Sequence, residues 1–399
     1  MTLRADRILP ASELLALHEL AFAAVFGPGP RPRSFFSPGR VNLMGAHLDY
    51  NGGPVMPTAI DRGTFIAVRP RSDRRLCLAS TSEAQRFELE LDAPAFARRG
   101  QWVDYPAGVC ESLRRRKPDA GGLDILFGGN LPVGAGLSSS ASICVGTAFV
   151  LDRMWGLGLG ALERVEAALI AEREFVGVRC GIMDPYAVGL AVPGHLLWLD
   201  CKDGSNEHLP LDPSRIAVGV ADTGVRRELA QGAFNERVAQ AAAAFAALAP
   251  FSPGATCLRD IGIEVFEERR AKLDPLLRRR AEHVVHEVAR TFAARDALKC
   301  GDLVEFGAQM FAAHASLREL YDVSCPELDL LVDSAHESGG VLGSRLTGAG
   351  FGGCVVMLID RSRTASVVEH VARRFEARFR RRPPIEIFGG DPGPREVGE

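Results

Sequence analysis

The stretch Pro132-Val-Gly-Ala-Gly-Leu-Ser-Ser-Ser-Ala141 follows a short apolar run, Leu123 to Phe127, and opens a long one, Ala141 to Met154. Glycines let a backbone approach a phosphate closely, and the free N–H groups at a helix start, with the positive end of its dipole, bind the anion. No Gly-Lys-Ser/Thr follows, so the loop is not of the Walker A type. An ordinary turn is the competing reading. The consecutive serines weigh against it, because hydroxyls at a helix start both cap it and meet Mg²⁺. Glu172 continues the helical stripe of Leu162, Val165 and Leu169, which aims a carboxylate inward. Such a group needs a partner, either a buried ion pair or a metal shared with a loop serine. Asp184, in Cys180-Gly-Ile-Met-Asp-Pro185, stands in an apolar setting. Taken alone it reads as a turn or cap residue.

Arg40, Asn42, His47, Asp49 and Asn51 crowd one glycine-flanked segment, Ser37 to Gly53. Hydrogen-bonding side chains at that density suit a polyhydroxylated ligand, whose hydroxyls both donate and accept. Ser344-Arg-Leu-Thr-Gly-Ala-Gly-Phe-Gly-Gly-Cys354 is a second glycine loop. It reads either as a hairpin or as a backbone leaning over nucleotide phosphates from the opposite domain.

The elements that must position these residues alternate between types. Leu14 to Phe26 has helical spacing and stops at Gly27-Pro-Gly-Pro30. Strands are expected at 65–68, 87–91, 123–127, 195–199, 216–220, 340–347 and 354–359, and helices at 141–154, 236–248, 277–294, 304–321 and 364–379. Mixed elements in both halves predict an α+β fold. At 399 residues two domains are expected with the site in their cleft, divided as 1–205 and 206–399 in the polar, turn-rich interval from Lys202 to Pro213. The tail from Gly390 is expected to fray. A net charge of −3 with no long basic block gives no reason to expect nucleic acid, and no run approaches a membrane span. The start of the chain mixes both charges, unlike a secretory signal, and nine cysteines without a CxxC pair read as reduced thiols of a cytoplasmic protein.

Together the three segments resemble the GHMP kinase superfamily, and within it the galactokinases. Arg40-Val-Asn-Leu-Met-Gly-Ala-His-Leu-Asp-Tyr50 is similar to the galactokinase signature, Pro132–Ala141 to the superfamily's phosphate loop, Leu346–Gly353 to its third motif, and Cys180–Asp184 to the galactokinase Cys-Gly-Ile-Met-Asp-Gln with Pro185 in place of glutamine. The resemblance covers nearly the whole chain. It implies a two-domain GHMP fold and phosphorylation of a sugar's anomeric hydroxyl, with ATP and Mg²⁺. Asp184 would be the base and Arg40 its charged neighbour. Ser140 and Glu172 would hold the metal, and Gly134, Ala135, Gly136, Leu137, Ser138, Ser139 and Ser140 would surround the phosphates, with Gly348 and Gly350 opposite and Trp102 near the adenine. Ala46, His47, Asp49, Gly181 and Phe234 would line the sugar. The expected partners are a small-molecule sugar and ATP, without nucleic acid or membrane, in a monomer or weak homodimer. Some galactokinase-like proteins are sugar and ATP sensors acting through a partner protein; the survival of Arg40, Ser140, Glu172 and Asp184 favours an enzyme.

Two positions depart from the galactokinase pattern. Ala46 stands where galactokinases carry the Glu that meets the sugar's C6 hydroxyl, and Phe234 where a sugar-contacting Tyr is usual. Two like charges ~4 Å apart repel by ~4 kcal/mol at an effective dielectric of ~20, so a Glu there would exclude a sugar with a C6 carboxylate. Galacturonokinases of this family also read Gly-Ala-His. D-Galacturonate is therefore the expected sugar and galactose the next, with Arg179, Arg226 and Arg227 as candidate partners for its carboxylate.

Overall fold

The computed structural model describes residues 11–131, 136–178, 180–226 and 230–398. Helix α1 (Ala11–Phe26) ends at Gly27, whose left-handed backbone (φ 80°) closes the last turn through an N–H bond to Ala23. The first half continues through β1 (Arg33–Asn42), β2 (Pro54–Val55), β3 (Pro57–Pro70), β4 (Arg75–Ser80), β5 (Glu83–Glu90), α2 (Asp104–Leu113), β6 (Leu123–Gly129), α3 (Ser139–Trp155), α4 (Ala161–Ile170), a π-turn at Ala171–Val176, α5 (Met183–Gly189), β7 (His195–Asp200) and β8 (Asn206–Pro210). The second half comprises β9 (Ile216–Asp222), α6 (Ala230–Leu248), α7 (Ile263–Arg269), α8 (Pro275–Lys299), α9 (Leu303–Ser316), α10 (Pro326–Glu337), β10 (Val341–Thr347), β11 (Cys354–Asp360), α11 (Thr364–Phe379), β12 (Ile385–Phe388) and β13 (Arg395–Val397).

The strands form a six-stranded sheet in the order β13-β1-β3-β6-β4-β5, a four-stranded sheet β10-β11-β9-β12 and a three-stranded sheet β2-β7-β8. β1 pairs with β3 along its whole length, with one register shift between Pro38 and Gly39. That irregularity falls one residue before Arg40. β11 is apolar and buried from Cys354 to Ile359, as expected of a strand enclosed on both faces. The fold is thus α+β in two halves, as the element types predicted.

Two features differ from expectation. A division at 205/206 cuts the β7–β8 hairpin; we place it in the turn before β9. The tail expected to fray instead carries β13, which pairs with β1, and Arg33 holds Glu396 through two hydrogen bonds of 2.7 and 2.8 Å. The second half therefore returns to complete the first sheet. All nine cysteines are free, and among the described residues no helix is long and apolar enough to cross a membrane.

Three large apolar clusters hold these layers. One lies between the first sheet and α2 and α3, one fills the second half, and a third joins the halves, with Val41, Leu43, Met44 and Leu137 against Phe306, Met310, Val356 and Leu358. A shared core of this kind fixes the walls of a cleft. α3 sits close on the first sheet because Gly146 faces it: a Cβ there would lie 2.7 Å from the Ser37 side chain and 2.8 Å from Ile66. Ser142 adds hydrogen bonds to the Ser37 carbonyl (2.7 Å) and Thr64 (2.8 Å). Gly146→Val is expected to destabilise the protein by about 1–3 kcal/mol through overpacking, seen as a lower thermal midpoint, and to weaken ATP binding by lifting the start of α3.

Candidate active site

β1 carries Arg40 to the wall of a cavity of about 430 Å³, lined from the first half by Arg40, Ala46, His47, Asp49, Ser138–Ser140 and Asp184 and from the second by Phe234, Arg345, Gly348 and Ala349. The volume suits a small ligand. Arg40 is 5% exposed. Its Nε and Nη2 donate to the two carboxylate oxygens of Asp184, each at 2.7 Å, and its Nη1 donates to the Gly136 carbonyl at 2.7 Å. The backbone N–H of Arg40 also donates to the Leu137 carbonyl at 3.2 Å, so one residue of β1 anchors both the carboxylate and the glycine loop.

Asp184 lies in the first turn of α5, and Pro185 follows it there. The first turn of a helix has no intrahelical partner for its N–H groups, so a proline at this place breaks no bond. Ser138 donates its hydroxyl to Asp184 and has a left-handed backbone, φ 60°, which is uncommon outside glycine. That conformation turns its side chain from the helix it precedes toward the carboxylate. A Cβ on Gly181 would come within 2.2 Å of the Asp49 carboxylate, so only glycine admits Asp49 beside α5. Burial first, and the neighbouring Asp184 charge second, push the Asp49 carboxyl up to about 6.

His47, with φ 58°, is buried. Burial first, and then the neighbouring His283, Arg345 and Arg237, lower its imidazole to about 3, so it is neutral. It bonds Tyr50 Oη at 2.9 Å, which bonds Tyr321 Oη at 2.7 Å. Phe234 closes this aromatic wall, its ring 6.0 Å from His47 and 5.5 Å from Tyr50. Asn51 does not reach the cavity; it donates to the His47 carbonyl at 2.7 Å and staples the loop.

Glu172 lies in the π-turn and is 3% exposed; such turns are frequent at functional sites. The buried stripe leading to it is Val165, Ala168 and Ala171, whereas Leu162 is 47% exposed. Glu172 hydrogen-bonds Ser140, and burial pushes its carboxyl up to about 7. Arg173, the adjacent cation, instead donates to the Cys180 carbonyl at 3.2 and 2.9 Å. A buried carboxylate beside a hydroxyl, with no cation hydrogen-bonded to it among the described residues, fits Mg²⁺. Among the described residues there is no group of three or more His, Cys, Asp or Glu side chains that could hold a metal.

Gly136 to Ser140 line the cavity, while Gly134 and Ala135 lie outside the described residues. Gly348 approaches the loop directly, with an ideal Cβ 3.3 Å from the Gly136 Cα; Gly350 instead packs on Val323, where a Cβ would lie 2.3 Å from its carbonyl. Trp102 lines an adjoining cavity of about 640 Å³. Val178 and Phe234 border both spaces. Arg226 is engaged with Asp222 through a 2.8 Å hydrogen bond, and Arg179 and Arg227 lie outside the described residues. The residue that sequence reasoning missed is Arg345. It lines the cavity and is 1% exposed; Nη2 donates to the Asn42 carbonyl at 3.1 Å, Nη1 lies 3.8 Å from the Glu287 carboxylate, and the buried Nε and Nη1 have no hydrogen-bond partner among the described residues. Its only signal was an arginine in a strand otherwise reading as buried.

The glycine loop at the start of α3 and the arginine-held Asp184 thus meet in one small cavity, and the two-half α+β fold around them is the GHMP kinase fold. Family models described as the GHMP kinases N terminal domain and the GHMP kinases C terminal match residues 104–191 and 294–377, and the galactokinase galactose-binding signature matches residues 20–70. The chain belongs to the galactokinase family. It is 38% identical over 360 residues to the galactokinase of Fusobacterium nucleatum, covering 89% of this chain and 92% of that one. It is 41% identical over 341 residues to that of Roseiflexus sp., covering 85% and 86%. The structure of Lactococcus lactis galactokinase complexed with galactose superposes with a TM-score of 0.90 at 32% identity, covering 96% of this chain and 100% of that one.

The raised Asp49 carboxyl has a measurable consequence. Above about 6 it is an ionised acceptor, and below that value it is protonated. Sugar affinity, measured by calorimetry, is expected to weaken as pH falls through about 6. Asp184→Asn should move that midpoint downward, because it removes the like charge; an unmoved midpoint would show that burial alone sets it.

Proposed function

We propose that the chain transfers the terminal phosphoryl group of ATP to the anomeric hydroxyl of a galactose-type sugar. The observation that carries this reading is the Arg40–Asp184 pair, placed beside the start of α3 and inside the cavity. With a sugar hydroxyl at Asp184, the carboxylate accepts its proton as the O–P bond forms and the bond from the terminal phosphorus to the departing diphosphate oxygen breaks. Phosphoryl transfer asks chiefly for positioning and charge neutralisation, with a base for the acceptor. Arg40 holds the carboxylate by both oxygens and aims it. Ser138 holds the same group from the loop side, and the N–H groups from Gly136 onward face the phosphates. Ser140 and Glu172 would hold Mg²⁺, which when bound offsets phosphate charge. Trp102 and its adjoining space would take the adenine end.

Galactose is the sugar to which the relatives' names point. The preference for D-galacturonate expected from Ala46 finds no counterpart in those names and rests on this chain's own C6 corner. Asp184→Asn is expected to lower kcat by about 10²–10⁴-fold, the range of general base catalysis, with ATP binding retained. Full turnover in that variant would remove Asp184 from the mechanism. Wild-type protein that binds ATP but phosphorylates no monosaccharide in a panel of galactose, galacturonate, glucuronate and arabinose would sink the kinase reading.

A further inference from the structure

The loop from Gly348 to Gly353 contains four glycines, each with a positive φ, an alanine and one large side chain, Phe351. Glycines leave such a loop many conformations, so its place beside the start of α3 depends on its anchors. Gly353 ties one end to Thr223 and Val225. Phe351 holds the middle, with φ 61°, a region that bulky side chains rarely enter and that persists only where the surroundings impose it. Its N–H donates to the Val323 carbonyl at 2.7 Å, and its ring, 8% exposed, lies under the guanidinium of Arg237, with Cζ 5.6 Å from the ring centroid.

Arg237 stands on α6 one turn after Phe234 and is 7% exposed. Its Nε donates to the Tyr321 carbonyl and its Nη2 to the Asp322 carbonyl, both at 2.8 Å. Nη2 also reaches the Asp322 carboxylate at 3.1 Å, and Nη1 the Gln240 side-chain oxygen at 3.2 Å. These carbonyls end a π-turn at Leu317–Tyr321, where a helix leaves them without intrahelical partners. Capping is the plainer role, and Arg280 serves it for the Leu320 carbonyl at 2.6 Å. Arg237 does more, because its contacts lead to both substrates' surroundings. The Tyr321 hydroxyl joins Tyr50 and His47, and Phe234 closes the same wall. Phe351 belongs to the loop whose Gly348 meets Gly136.

We propose that Arg237 is a positioning residue that latches the sugar wall to the Gly348–Gly353 loop, so that bound sugar and bound nucleotide strengthen each other. The assignment rests on the sugar kinase reading and adds to it a residue that lines neither cavity. A sugar packed on His47 and Phe234 fixes Tyr321 and the first turns of α6. The edge of the guanidinium is then held by two carbonyls, and its flat face holds the Phe351 ring. The loop is thereby set against Gly136 before the nucleotide arrives, which has less to order on binding. By linkage the nucleotide tightens the sugar by the same factor.

The test measures, by calorimetry on the full chain, the affinity of AMP-PNP, the imido analogue of ATP, with Mg²⁺ and with or without saturating D-galactose. In the wild type galactose is expected to tighten the nucleotide about 10-fold, within the usual range of coupling between sites. Arg237→Met keeps the stem and loses every donor; it should bring that ratio to about 1. Arg237→Lys, a point charge without a flat face, should fall between. Phe351→Gly removes the ring and suits the left-handed backbone, so it decides the matter even if Arg237→Met fails to fold; it too should bring the ratio to about 1. In steady state both variants should raise KM for ATP at saturating galactose, whereas a purely structural loss lowers kcat through the active fraction and leaves KM unchanged. An unchanged ratio in either variant overturns the proposal, as does a wild-type nucleotide affinity that galactose leaves unaltered, and phosphorylation of galactose in those cases keeps the kinase reading intact. If the ratios behave as expected and no galactose is phosphorylated, the latch stands and the kinase reading fails.

Discussion

Arg40 and Asp184 meet through two hydrogen bonds at 2.7 Å, and the third guanidinium nitrogen holds the Gly136 carbonyl. This one side chain links the first sheet, the glycine loop and the helix that carries the carboxylate. A buried pair of this kind gains little net stability, since desolvation offsets much of the attraction. Its value is positional. Losing either partner would strand a charge in the wall of the cavity, and the loop, α5 and β1 would each lose the contact that aligns it with the others. The left-handed backbone of Ser138, the proline in the first turn of α5 and the glycine beside Asp49 are local arrangements that this pair makes useful.

The cavity is electrically polar. Asp49, Asp184 and Glu172 crowd the reacting side, where burial and mutual repulsion raise the carboxyls of Asp49 to about 6 and Glu172 to about 7. Such a place favours a proton or a divalent cation, which is what an acceptor hydroxyl and a phosphate-bound metal supply. On the Ala46 side the buried Glu287 pairs with Arg290 and Arg345, and these arginines with Arg280 and Arg237 lie near neutral His47 and His283, both lowered first by burial. Tyr50, Tyr321 and Phe234 pack their rings against His47 at this end.

Much of this was legible in the chain. The glycine loop, the Ser37–Gly53 segment, Asp184 and Glu172 were marked by residue type and short spacing, and the structure brings Arg40, His47, Asp49, Ser138–Ser140, Gly181, Asp184 and Phe234 into one cavity. Glu172 was found on an imperfect pattern, since Leu162 faces solvent while Ala168 and Ala171 form the buried stripe. Strand β1 was not recognised, because its Ser-Pro-Gly-Arg core lacks the apolar alternation of an exposed strand. The strand exists because it is enclosed between β13 and β3. The return of β13 was likewise invisible, as neither residue type nor local order announces a partner that arrives from the other end of the chain, while Asn51 was grouped with the ligand contacts although it bonds the His47 carbonyl within its own loop.

Residue type and near spacing by themselves determined the class of chemistry: a phosphate loop, a base and a wall of hydrogen-bonding groups travel as short motifs whose physics is local. The identity at position 46 was also plain, an alanine where a carboxylate is usual. What it faces was decided only by the tertiary structure. Arg345 bonds to Asn42 across 303 residues of sequence, and Glu287 reaches Ala46 across 241. Whether a buried charge is paired depends on which groups folding places within a few ångströms of it, and that distance is set by packing between the two halves.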